Sequence, residues 1–137
     1  MPTTGSATFT GSATGLMYYP SGPDALPCNC QELTVQGDAA FTANFGARTL
    51  TGGLTNMTRV WWDEGAWNDV SFSATIAGNG FSGTTRVTTA PALGMGANAT
   101  GTLEGKFFGP SANEAGAVWT LFDGTNAAIG TLSGKRP

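Results

Sequence analysis

Apolar side chains recur at every second position along much of the chain, with small polar residues between them. From Ser6 to Leu16 the run Ser-Ala-Thr-Phe-Thr-Gly-Ser-Ala-Thr-Gly-Leu alternates in this way, and a period of two puts one set of side chains on a single face of a strand. The same parity links Ala39, Phe41, Ala43 and Phe45, resumes after Gly46-Ala47 with Leu50, Gly52 and Leu54, and returns in Val70, Phe72, Ala74 and Ile76. Gly78-Asn79-Gly80 turns that last run directly into Phe81-Ser82-Gly83-Thr84-Thr85, as Gly and Asn suit a tight hairpin turn. Three more runs lie within 100–108, 115–121 and 129–136. Phe41, Phe45, Phe72, Leu103, Phe107 and Leu132 are the expected interior set, because a one-residue slip in register would expose all of them. About eight strands joined in sequence is the number at which an antiparallel sheet closes around its own side chains. The pattern therefore predicts an all-β chain, a single closed, eight-stranded, antiparallel up-and-down β-barrel with long loops, as one domain over residues 1–137.

Three stretches break the alternation. Pro20 to Cys30 carries three prolines and a glycine and reads as a long first loop, and Thr89 to Asn98, with Pro91, Gly94 and Gly96, reads as a second. Between them, Arg59-Val60-Trp61-Trp62-Asp63-Glu64-Gly65-Ala66-Trp67 puts three of the four tryptophans in one connection flanked by charges. Adjacent residues of an extended chain point to opposite faces, so at least one of Trp61 and Trp62 is expected to leave the core. Exposed Trp within a charged rim has the anatomy of a binding hot spot. The alternative is that one Trp plugs the barrel end and the other lies on its wall. Tyr18 and Tyr19, at the mouth of the first long loop, are the second candidate pair, so the expected binding residues are Trp61, Trp62, Tyr18 and Tyr19.

Composition narrows the chemistry. Twenty-one glycines among 137 residues make long helices unfavourable. A net charge of −3 with six basic residues in all leaves no patch to neutralise a phosphate backbone, which sets nucleic acid aside. The chain has no histidine, which removes Ser-His-Asp and Cys-His catalysis and the commonest metal ligand. Asp63, Glu64 and Asp69 form the sole carboxylate cluster, in a predicted loop and not across a cleft, and it reads as a solvated acidic loop. No catalytic turnover, cofactor or metal site is expected. Cys28-Asn29-Cys30 reads as a disulfide, local or reshuffled, as free thiols, or as a metal or redox pair. No run approaches the length that crosses a bilayer, and Met1-Pro2 leads straight into polar Thr3-Thr4-Gly5 without a signal-peptide pattern.

The last third of the chain, Gly105 to Leu121 and then Ile129 to Arg136, resembles the C-terminal β-barrel domain of transferrin-binding protein B and its relatives. The hallmark G-x-F-Y/F-G-P-x-A-x-E-x-G-G, with a closing I/A-G-x-F/L strand, is matched at Phe107, Phe108, Gly109, Pro110, Ala112, Glu114, Gly116, Ile129 and Gly130. Weaker similarities lie at 6–16, 41–52 and 80–84, with Asn44 where the family often has aspartate. The resemblance implies the same barrel, a short helical turn near 110–114 with Glu114 accepting backbone N–H groups, and a non-catalytic binding domain of a bacterial surface-exposed or secreted protein. It further implies export to the cell surface, outer membrane or medium, and partners among host proteins, haem or iron carriers, and export machinery. The alternatives are a structural module recognised by an outer-membrane translocator and a small-ligand barrel of the lipocalin or avidin type. Large interior residues such as Phe41, Phe45, Phe72, Leu103 and Trp119 weigh against the last.

Overall fold

Nine strands form one sheet in the computed structural model, which describes residues 1–20, 30–60 and 64–137. They are β1 (Ser6–Pro20), β2 (Cys30–Asn44), β3 (Thr49–Val60), β4 (Gly65–Ala66), β5 (Val70–Ala77), β6 (Gly80–Val87), β7 (Thr100–Phe108), β8 (Glu114–Phe122) and β9 (Ala127–Lys135). The order is β2-β1-β9-β8-β7-β6-β5-β3, every neighbouring pair is antiparallel, and β2 also pairs with β3 to close the ring. The result is an eight-stranded up-and-down barrel, with β4 an additional two-residue strand on β3 through Thr58↔Ala66 and Arg59↔Gly65. Strands β1 and β2 reach further than the loop residues suggest. Proline is tolerated at the end of β1 because β9 pairs with that strand only as far as Tyr18↔Ala127.

The alternation of the sequence becomes an inside and an outside. Phe41, Phe45, Phe72, Leu103, Phe107 and Leu132 are all buried, as expected from parity. Phe9 stacks on Phe41 at 5.0 Å, and Phe107 meets Phe9, Phe45 and Phe81 at 5.7, 5.5 and 5.1 Å. The outer wall is rich in exposed threonine, including Thr8, Thr10, Thr14, Thr42, Thr84, Thr102 and Thr131. A transmembrane barrel has the reverse polarity, with its apolar band facing outward.

One barrel end is sealed by short turns. Gly78, at φ 61°, makes the β5–β6 turn. Between β7 and β8 a single turn forms through the Ala112 N–H on the Gly109 carbonyl at 3.2 Å, with Ala112 at φ 53°, and no helix develops. Arg136 supports this turn from its carbonyl side. Its Nη2 donates to the Ser111 carbonyl at 2.8 Å, its Nε to Ala112 O at 3.1 Å, and its backbone N–H to Asn113 O at 3.0 Å. The guanidinium also lies 5.6 Å from the Phe45 ring centre and 5.8 Å from that of Phe9. Glu114 is exposed at the start of β8, and among the described residues the turn carbonyls are held by the cation, because carbonyls need donors and a carboxylate has none.

Candidate functional site: the loop-bearing end of the barrel

The long connections leave from the opposite end: 21–29 between β1 and β2, 61–69 around β4, 88–99 between β6 and β7, and the short 123–126 turn between β8 and β9. Here β2 outruns its neighbour, since β3 pairs with it only as far as Thr34↔Val60. The paired ends of β1 and β2 therefore stand beyond the rim.

Two polar anchors fix the described loops. Asn68 is 0 % exposed. Its Nδ2 donates to Thr89 O at 2.6 Å and Met95 O at 3.0 Å, while its Oδ1 accepts the Met95 N–H at 2.6 Å. The loop 88–99 is thereby folded over the barrel mouth, with Met95 and Ala99 buried. Asp123 accepts N–H groups from Gly96, Thr125 and Asn126 at 2.8, 2.9 and 2.7 Å, and the Asn126 amide at 3.1 Å. Burial pushes this carboxyl up, but the hydrogen bonds from Asn126, Gly96 and Thr125 outweigh it and bring the pKa down to about 2.

Beneath the loops Trp67 is 2 % exposed. Its Nε1 donates to Met17 Sδ at 3.2 Å and its ring lies 6.1 Å from that of Trp119. Trp67 thus fills the barrel end, a plug role that the sequence analysis weighed for Trp61 or Trp62 and not for Trp67. Arg59 is likewise buried and donates from Nη1 to Ala66 O at 2.7 Å, holding β4 against β3.

Of the expected binding residues, Tyr18 is on the rim of β1, facing outward and 36 % exposed. Tyr19 follows it in β1. The Tyr19 side chain, Trp61, Trp62, Cys28 and the Cys30 side chain lie outside the described residues, and so does the disulfide reading. Of the carboxylate cluster, Glu64 is exposed and Asp69 partly so, while Asp63 is outside the described residues.

The structure adds an apolar strip that the sequence reading missed. Tyr18 pairs with Ala127 of β9, which pairs with Phe122 of β8, and Leu16 pairs with Ile129. Phe122 is 56 % and Ile129 47 % exposed. Side chains opposite one another on the same face of a sheet sit about 4.5–5.5 Å apart at Cβ, so Leu16, Tyr18, Ile129 and Phe122 form one outward patch just below the loops. Its signal was present in parity: Phe122 follows buried Leu121, and Ile129 follows buried Ala128.

The filled barrel carries its long connections at one end, on a frame fixed by its core. The family described as the C-lobe and N-lobe beta barrels of Tf-binding protein B matches residues 1–136, and the chain belongs to that family. Among solved structures, transferrin-binding protein B of Haemophilus parasuis Hp5 is similar over 99 % of this chain and 26 % of its own, with a TM-score of 0.69 and 20 % identity. A surface lipoprotein is similar over 99 % of this chain and 63 % of its own, at TM-score 0.65 and 20 % identity. The N-lobe domain of lactoferrin-binding protein B of Moraxella bovis is similar over 100 % and 61 %, at TM-score 0.64 and 20 % identity. The chain thus spans about a quarter of the Haemophilus protein's length, and at these identities the likeness to the solved structures is one of fold. A comparison with curated proteins returns no match.

Proposed function

We propose that this chain is a non-catalytic binding domain of a surface-exposed or secreted bacterial protein, and that it docks a protein partner at its loop-bearing end. The observation that carries the reading is the exposed strip Tyr18, Ile129 and Phe122, which borders loops pinned by Asn68 and Asp123. Rigid aromatic surface binds at low entropic cost. Trp61 and Trp62, in the connection that joins β3 to β4, are proposed as anchors at the same end, with Tyr19 beside Tyr18. Support for a host iron-carrying protein as partner comes from relatives that are named for transferrin and lactoferrin. A surface location is supported by the lipoprotein relative. Absence of turnover rests on a sequence without histidine. The interior filled by Phe9, Phe41, Phe107, Trp67 and Trp119 favours surface recognition over enclosure of a small ligand.

The test is capture of this domain by immobilised mammalian transferrins and lactoferrins, with Tyr18→Ala, Trp61→Ala and Trp62→Ala measured beside the parent. Loss of about 2 kcal/mol or more of binding in one of the tryptophan variants, with its melting temperature unchanged, supports the docking site. A variant that instead loses about 3–5 kcal/mol of folding stability marks its Trp as a plug, and that outcome in both tryptophans overturns their assignment.

A further inference from the structure

The charges of the barrel are sorted by end. Glu32, Glu64, Asp69 and Asp123 lie at the loop-bearing end, against the guanidinium groups of Arg59 and Arg86. Arg59 is buried and turned to the Ala66 carbonyl, and Arg86 donates from Nε to Ser71 Oγ at 3.3 Å. At the sealed end the balance is reversed: Arg48, Lys106, Lys135 and Arg136 face a single carboxylate, Glu114. One acidic group borders the apolar strip directly, since Glu32 is the cross-strand partner of Tyr18.

Building on the docking site proposed above, we infer that its occupant is a protein surface or segment rich in Lys and Arg with apolar side chains among them. An acidic rim steers a cationic partner toward it and disfavours an anionic one, and the neighbouring apolar strip slows its departure. Such steering acts over roughly a Debye length, about 8 Å at physiological salt, so it fades as salt is added. An anionic lipid surface is repelled by the same rim. A second copy of the chain, offering its basic sealed end, is the competing occupant.

The probe is a labelled synthetic peptide that alternates Lys with Phe, titrated against the whole chain, with a Lys/Ser peptide of equal charge as its control. Glu32→Lys with Glu64→Lys changes the net charge by the same amount as Glu104→Lys with Glu114→Lys, which lie on the wall and at the sealed end. Expected is about a tenfold or greater loss of affinity at low salt for the first pair, less than about twofold for the second, and a steep salt dependence in the parent. Phe122→Ser with Ile129→Ser is expected to weaken the Lys/Phe peptide and leave the Lys/Ser peptide unchanged. Should its melting curve show misfolding, Glu32→Gln with Glu64→Gln replaces the first pair and Glu104→Gln with Glu114→Gln its control.

Equal losses for the two charge pairs overturn the inference, since net charge alone then governs binding. Concentration-dependent sedimentation that the first pair abolishes also overturns it, in favour of the second copy. Failure of the docking reading looks different. If the Ser pair weakens transferrin or lactoferrin capture while the rim charges have no effect, the site stands and the basic partner falls. If neither has any effect, both fall.

Discussion

Trp119 lies across Gly130 on the inner wall of the barrel, so close that a Cβ on Gly130 would overlap the indole ring. The same ring crowds Gly15 on the next strand, with Trp119 Cη2 2.7 Å from where a Cβ would stand. Its Nε1 is satisfied by the Thr131 carbonyl at 3.1 Å. A large ring can be fully buried in so narrow a barrel only because the paired glycines of two adjacent strands, Gly130 and Gly15, leave room beneath it. Gly130→Ala is expected to cost about 1–3 kcal/mol, the usual penalty for overpacking a filled core, with Thr14 O also in the way of the added methyl. Urea unfolding of the variant beside the parent checks this.

Asn68 closes the loop-bearing end of the same core. Asn68→Ala removes the partners of the Met95 N–H and of the Thr89 and Met95 carbonyls. Each buried group left unpaired costs about 1–3 kcal/mol unless water reaches it. The expected result is a lower melting temperature together with faster amide exchange confined to 88–99, read by hydrogen–deuterium exchange. A variant that lowers the melting temperature with no change in that loop contradicts the anchor role.

Asp123 gives the loops a dependence on pH. Its folded pKa, about 2, lies below its ordinary value, so its contribution to stability is fully present above about pH 4 and is lost as pH falls toward 2. Asp123→Asn should remove that part of the pH dependence, since an amide does not titrate in this range. Chemical denaturation at pH 6 and pH 2.5 for both proteins isolates the effect, and identical pH slopes would count against it.

Arg136 secures the sealed end with two hydrogen bonds from its side chain and contacts to two aromatic rings. Arg136→Ala is expected to destabilise by about 1–3 kcal/mol, and Arg136→Lys to recover only part, because an ammonium lacks the planar fork that reaches both carbonyls. Thermal melts of the two variants decide this.

Much of the barrel was legible from period-two parity, because every strand of the ring has one face against a filled core. Other features depend on partners distant in sequence. Trp67 belongs to the same run as Trp61 and Trp62, yet its fate is set by Met17 and Trp119, each about fifty residues away along the chain. The role of Arg136 depends on a turn 25 residues earlier. Pro20 and Cys30 read as loop residues, but the β1–β2 pairing extends to include both. The strip of Tyr18, Ile129 and Phe122 emerges only once β1, β9 and β8 are placed side by side. Residues apolar in the wrong phase were its trace in the sequence.

Docking of the partner at the loop-bearing end would leave a definite footprint on the chain. The most direct measurement is hydrogen–deuterium exchange of the whole chain, free and bound to whichever transferrin or lactoferrin it captures best. Protection is expected at 15–20, 30–34, 59–70 and 122–129, with the turns at 45–48, 78–80 and 109–113 unchanged. Protection confined to those turns, or to the threonine-rich wall, would contradict it.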